Sequence, residues 1–175
     1  MLNYKEEVIK AMKLLGEDKR TIFIGQTVAY EGSVISDTLK DVPMNKRIEM
    51  PVAEEMQCGI GLGMAISGNY LPVLIYPRFD FLLCAVNQLV NHLDVMDNLS
   101  YGQYKPQVII RTIVGSKYPL DGGIQHTRDY TEVFQELLTN VKVIKLDKAS
   151  LVVPIYKKLL EYNKSALIIE MAELY

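Results

Sequence analysis

Five short stretches of this chain, TIFIG, LPVLIYP, PQVIIRTIV, VKVIKL and ALIIEM, are apolar almost from end to end and are separated by segments of helical period. A strand with one wet face alternates polar and apolar residues, so runs without alternation belong to a sheet covered on both faces. The intervening segments supply the cover. LNYKEEVIKAMKLLGED places Val8, Met12 and Leu15 on one helical face. AEEMQCGIGLGMAIS is a helix ended by Gly68. DFLLCAVNQLVNHLDVMDNL is a helix capped by Asp80, RDYTEVFQELLTN a shorter one, and ASLVVPIYKKLLEY one bent or started by Pro154. Strand and helix in alternation imply a mostly parallel sheet, and right-handed crossovers make it a doubly wound α/β domain. The 175 residues contain no internal repeat, low-complexity tract or linker, so a single domain over residues 1–175 is expected. Residues 26–51 lack a period and are expected to form a long loop with one helical turn. Ligands of such sheets sit beyond the carboxyl ends of the strands, which directs attention to the loops after TIFIG, PVLIY and VIIRTIV.

Composition removes several functions. A formal charge of -2 is wrong for a general nucleic-acid or anionic-membrane binder. No run of about 18 apolar residues offers a membrane span, and the N-terminal MLNYKEEVIKAMKLLGEDKR has no apolar core of the secretory kind. The two cysteines, Cys58 and Cys84, lie in apolar stretches and are expected to be buried free thiols, which points to a reducing, cytoplasmic location.

Several patterns bear on chemistry. GIGLGMA resembles a dinucleotide fingerprint, but its third glycine position is Met64 and the glycines lie within a helix, so the match fails. Gly59, Gly63 and Ser67, at four-residue spacing, instead form a small-residue stripe suited to close packing, here expected against a second subunit. No phosphate-binding loop, CxxC, HExxH or EF-hand pattern occurs, and no metal ligands are assigned. His92 reads as a partly exposed helical residue. His126, in the loop GGIQHT between a strand and a helix, is on the residues alone equally an exposed loop histidine or a catalytic one. Glu54 and Glu55 open a helix, where carboxylates are favoured by the dipole. Glu54, five residues before Gly59 and nine before Gly63, is expected to lie nearly in line with their face, and Glu55 to one side. In YPRFDF, Tyr76, Phe79 and Phe81 are either core aromatics at a strand exit or a stacking surface for a planar heterocycle.

Taken in order, RIEMPVAEEMQCGIGLGMAISG, LPVLIYPRFDFLLCAVNQLVN, PQVIIRTIVGS with GGIQHT, and ALIIEMAELY resemble the pyrimidine-binding domain of thiamine-diphosphate enzymes. Within that superfamily the chain most resembles the beta subunit of the first, decarboxylating component of 2-oxo acid dehydrogenase complexes, and more distantly transketolase. The resemblance covers essentially the whole chain. It implies that Glu54 is the cofactor-activating glutamate, hydrogen-bonded to a ring nitrogen of the aminopyrimidine, with Ala53 where the family has Ser or Thr. It further implies that Phe81 lies against the pyrimidine ring, that Val52 touches it from the glutamate segment, and that His126 lines the substrate channel. Glu54 and His126 are thus the candidate catalytic residues, and Val52, Glu54 and Phe81 the cofactor-binding ones. The implied cofactor is thiamine diphosphate, its Mg2+ and diphosphate held by an alpha-like partner subunit in an α2β2 assembly. The helix carrying Gly59, Gly63 and Ser67 is implied to pack across a homodimer, and the substrate to be a small 2-oxo acid or a ketose.

The chain also departs from the family. GQTVA stands where the family reads GEEVA, putting Gln26 and Thr27 in place of two acidic residues associated with coupling between active sites. Met56 replaces a glycine, RTIVGSKYPLDGG replaces the usual RGPNG loop, and the C-terminal domain of longer beta subunits is not expected after MAELY. These departures keep two other readings open: a split transketolase subunit transferring ketol groups, and a non-catalytic assembly or regulatory homologue.

Overall fold

The structure is a computed structural model that describes residues 2–118 and 121–175. Pro119 and Leu120, inside the loop GSKYPLDGGIQHT, lie outside the described residues. Six strands form one sheet: β1 Thr21–Gly25, β2 Arg47–Glu49, β3 Leu71–Tyr76, β4 Ile109–Val114, β5 Lys142–Leu146 and β6 Ala166–Met171. Their spatial order is β2-β1-β3-β4-β6-β5, and every pairing is parallel. All six residues of β3 and of β4 are buried, as central strands covered on both faces must be.

Successive side chains of each strand feed two separate cores. Val73 and Ile75 point to one face, against α1 Tyr4–Glu17, α2 Val34–Thr38 and α8 Ala149–Glu161. Leu74 and Tyr76 point to the other, against α3 Glu54–Ile66, the helical segment Phe79–Leu99 and α7 Thr131–Leu137. α1 begins with Asn3, whose side chain caps the Glu6 amide, and buries Val8, Met12 and Leu15 as the helical period predicts. Pro154 lies inside α8 rather than at its start. Within the first core sits a fully buried ion pair. Arg111 of β4 donates from Nε and Nη2 to the two carboxylate oxygens of Glu170 on β6, both at 2.9 Å. Tyr156 and Tyr175 donate to the same carboxylate, and Arg111 Nη1 reaches Thr38 Oγ1 at 2.9 Å.

Four expectations are corrected. Residues 26–51 are not merely a loop: they hold α2, a short turn at Met44–Lys46 and the edge strand β2, whose three residues are too few to show a period. The segment Phe79–Leu99 is not one regular helix but α4 Phe79–Leu82, α5 Val86–Gln88 and α6 Met96–Leu99, joined by a tight turn at Leu83–Ala85 and a wide one at Leu89–Leu93. Its buried residues Phe79, Leu82, Ala85, Leu89 and Leu93 are spaced three, three, four and four apart, so the winding tightens and then loosens to keep them over the sheet. Asp80 does not cap it. Arg78 occupies the cap position, while Asp80 accepts from Arg128 Nε at 3.2 Å and Tyr130 OH at 2.9 Å. Cys58 is buried, but Cys84 is exposed, because it falls on the outer side of the tight turn. Among the described residues, no helix is long and apolar enough to cross a membrane.

Candidate functional site

From β1 the chain turns to β2 on one side, and from β3 to β4 on the other. Such a reversal opens a crevice between the carboxyl ends of two neighbouring strands, where doubly wound sheets bind their ligands. Gln26 and Thr27 leave β1 at this crevice, Pro77 and Arg78 leave β3, and Gly115 leaves β4. β2 ends beside them and leads through residues 50–53 into Glu54.

Two carboxylates organise the crevice. Glu49, at the end of β2, accepts the backbone amides of Thr27 at 2.6 Å and of Val28 and Ala29 at 2.8 Å. Three converging amides hold the β1 exit in a sharp turn, in which Thr27 takes φ 60, an uncommon backbone state for a β-branched residue. Glu54, at the first turn of α3 and only 9% exposed, accepts from Gln26 Nε2 at 3.3 Å through Oε1. Oε2 makes no hydrogen bond among the described residues, and Glu54 borders an open groove of about 770 Å³ with Glu55, Gly59, Cys84 and Gln88. The start of α3 is pinned from beneath. Tyr76 OH donates to the Glu54 carbonyl at 3.1 Å, and Gln57 Nε2 donates to the carbonyls of Ile24 and Ile75 at 3.2 and 3.1 Å. Burial pushes the neighbouring Cys58 thiol up to about 12 and the Tyr76 phenol upward as well, so both stay protonated supports.

The face of Glu54 differs from expectation. The buried side of α3 carries Glu54, Gln57, Cys58, Gly61, Leu62 and Ala65, whereas Gly63 and Ser67 are exposed. Five and nine residues at about 100° each leave offsets of about 140° and 180°, so Glu54 faces the sheet and the small-residue stripe faces away from it. Gly61 is the glycine that sits tightly: a Cβ there would stand 2.6 Å from Leu74 Cδ2, while one on Gly63 would meet nothing within 4 Å. Glu55 stands to one side, exposed, and accepts from Asn87 Nδ2 at 2.8 Å.

Of the aromatic residues at the β3 exit, Tyr76 and Phe79 are core residues with no exposed surface, and Phe81 is half-buried. Phe81 meets His126 edge to face, with ring centroids 5.5 Å apart. Both line a cavity of about 350 Å³ with Thr27, Ser33, Pro77 and Arg78. The His126 backbone is anchored to the end of β4, since its carbonyl accepts the Gly115 amide at 3.0 Å. A side chain at 115 would collide with that carbonyl, which explains the glycine. Phe81 and His126 therefore come together, and consecutive residues of the β1 exit serve both cavities: Gln26 touches Glu54, and Thr27 lines the Phe81–His126 wall. Val52 is 80% exposed and belongs to neither wall. His92 is a half-buried helical residue, its Nδ1 3.3 Å from the Asn87 carbonyl oxygen. Glu49, Gln57 and Arg78 escaped the sequence reading. Only Gln57 left a trace there, as a polar residue on the buried side of an apolar helix.

No protein-family model matches the chain. It is 28% identical over 148 residues, 82% of its length, to the pyruvate dehydrogenase E1 component subunit beta of Mycoplasma genitalium, and covers 43% of that protein. It is 30% identical over 136 residues, 76% of its length, to the chloroplastic subunit beta-4 of the same component from Oryza sativa, and covers 32% of it. The chain thus spans less than half the length of the curated relatives it matches. Among solved structures, a split-gene transketolase described as an inactive beta4 tetramer superimposes on 96% of the chain with a TM-score of 0.72 at 20% identity, over 51% of that protein. Transketolase from Campylobacter jejuni does so on 96% of the chain with a TM-score of 0.75 at 12% identity, over 25% of its length.

Proposed function

We propose that this chain, whose fold is that of a transketolase-like pyrimidine-binding domain and whose sequence is related to pyruvate dehydrogenase E1 beta subunits, is the pyrimidine-domain subunit of a thiamine-diphosphate enzyme acting on a 2-oxo acid. The observation that carries this reading is Glu54: a nearly buried carboxylate at the switch point and on the border of an open groove, held by Gln26 through one oxygen, the other having no hydrogen-bond partner among the described residues. The residues fit the ring end of the cofactor. Glu54 Oε2 has no partner among the described residues and is free to meet a ring nitrogen, Phe81 keeps part of its ring accessible for stacking, and the exposed Val52 has surface to give. Bound thiamine diphosphate would supply the nucleophilic carbon and the electron sink for chemistry at a carbonyl.

The chain's own residues orient and exclude. Tyr76 and Gln57 fix the first turn of α3, so the Glu54 carboxyl keeps its direction, and Oε2 would be the atom that holds a proton or hydrogen bond toward the ring. Gln26, where the family resemblance leads one to expect an acidic residue, donates a neutral hydrogen bond to Oε1 and steadies the group without adding charge. Phe81 limits the ring's freedom, and His126, held over Gly115, faces the cavity where a substrate would approach. In this reading the diphosphate and its Mg2+ fall to an alpha-like partner subunit, and the Gly59–Gly63–Ser67 stripe is the contact with a second copy in a heterotetramer.

A split transketolase subunit is the second reading, favoured by the split-gene transketolase among the structural neighbours. The test of the main reading is to purify the chain with its diphosphate-domain partner and measure cofactor content and turnover of a 2-oxo acid with an artificial electron acceptor. Glu54→Gln is expected to lower turnover by about 100- to 10,000-fold with the assembly intact. Full turnover in that variant, or a partner unrelated to diphosphate binding, would overturn the reading and leave the non-catalytic homologue.

A further inference from the structure

The cavity shared by Phe81 and His126 contains one unanswered positive charge. Arg78, half-buried at the start of α4, donates from Nη1 to the Pro77 carbonyl at 2.7 Å. Its other N–H groups have no partner among the described residues, and it forms no ion pair there. A guanidinium taken partly out of water is retained at a cost unless an anion meets it. The nearest neighbours of a Cβ placed on Gly115 are the His126 carbonyl and, at 3.4 Å, Arg78 Nε, so the two cavity residues meet over that glycine. Independently, the Thr27 hydroxyl, on the same wall, is buried without any hydrogen-bond partner among the described residues, and its residue is held at φ 60. Unpartnered buried donors and strained backbone together mark a place kept ready for a ligand.

The rest of the lining defines that ligand. Val34, Ile35, Pro77 and Phe81 are apolar and close in, and among the described residues no carboxylate lines the cavity. The neighbouring groove is the reverse, bordered by Glu54 and Glu55. A small molecule with one anionic end would therefore be drawn to Arg78 and turned with its other end away from it. We propose that Arg78 is the anion-recognising residue of this site, holding the carboxylate or phosphate end of a small substrate together with the His126 imidazole and the Thr27 hydroxyl. The proposal rests on the thiamine-diphosphate reading only in treating the anion as substrate; the anion site itself stands on the cavity.

All three groups belong to this chain, so binding is required of the full chain alone. Isotope-labelled arginine and histidine would be followed by NMR during titration with pyruvate, with inorganic phosphate, and with neutral hydroxyacetone. Saturating movement of the Arg78 Nε–H and His126 ring signals is expected with an anion and not with hydroxyacetone. Preference for pyruvate identifies a carboxylate subsite, and preference for phosphate a phosphate subsite. Arg78→Gln should weaken binding roughly tenfold or more, and Arg78→Lys, which keeps the charge but not the fork, by less. The lysine variant carries the test should the glutamine variant fail to fold. No saturating movement with either anion, equal movement with hydroxyacetone, or undiminished binding in both variants would overturn the proposal. None of these outcomes depends on turnover of the Glu54→Gln complex, which tests the cofactor reading separately.

Discussion

At the scale of single residues, the site depends on groups that touch no ligand. Glu49 is the clearest, since its carboxylate gathers the amides of Thr27, Val28 and Ala29 and so aims Gln26 at Glu54. An ionised acceptor on backbone N–H groups forms stronger bonds than a neutral one. Glu49→Gln keeps the shape and halves the acceptors, so it is expected to cost about 1–3 kcal/mol, read as a lower urea midpoint with an unchanged slope. An equal loss in a Gln26→Ala, Glu49→Gln double variant as in the sum of the single ones would show that the turn and the Gln26–Glu54 contact are independent. Such residues were not legible in the sequence, because their partners are main-chain amides some twenty positions away and main-chain amides have no letter. Glu54, Phe81 and His126 enter the candidate site from the sequence, through the resemblance of their surrounding motifs, and their proposed roles rest on that resemblance. Arg78 was not legible, because what marks it is that no counter-charge pairs with it among the described residues.

At the scale of elements, α3 shows how one helix uses glycine in two opposite ways. Gly61 faces β3, where a methyl group would press on Leu74 within a closed core, so Gly61→Ala is expected to destabilise the chain by about 1–3 kcal/mol. Gly63 faces open space in the isolated chain, and alanine there gains helix propensity, so Gly63→Ala is expected to stabilise by up to about 1 kcal/mol. Urea titrations of the two variants check the contrast, and the opposite order would place the helix in a different rotation. Sedimentation of Gly63→Leu then tests the stripe as a contact between copies, since a bulky side chain there should lower self-association without loss of fold. The sequence showed where the main helices and five of the strands lie, because the helices are long enough to have a period and the strands long enough to stand out as apolar runs. It missed β2, with three residues, and the uneven winding of Phe79–Leu99, whose spacing is set by the sheet beneath and not by local preference. It also placed Glu54 on the wrong face, where the helical angle alone, carried through five and nine residues, gives the observed one.

At the scale of the whole molecule, the sequence revealed the parallel doubly wound architecture through its apolar runs, but not how carboxylates tie the layers together. Asp94, only 3% exposed, is pushed up by burial, yet the amides of Thr139, Val141 and Asn140 outweigh this and hold its carboxyl below the usual range. That residue joins the helical segment over one core to the turn leading into β5. Asp18 is lowered chiefly by its hydrogen bonds from Arg20, and Asp129, despite burial, by Lys145 and Thr131. A carboxyl whose folded value lies below its unfolded one contributes stability that is present above the unfolded value and is lost as the pH falls through the folded one. The three groups act in the same direction, so folding stability is expected to be level above about pH 5 and to decline as the pH drops through about 4 and below. Asp94 should dominate the decline, because it is itself buried whereas Asp18 and Asp129 are partly screened by water. Asp94→Asn is therefore expected to cost about 1–3 kcal/mol at neutral pH and less as the medium is acidified, bringing the two proteins' urea midpoints together. Midpoints that stay a constant distance apart down to pH 3 would show instead that the Asp94 side chain acts through its shape and not its charge.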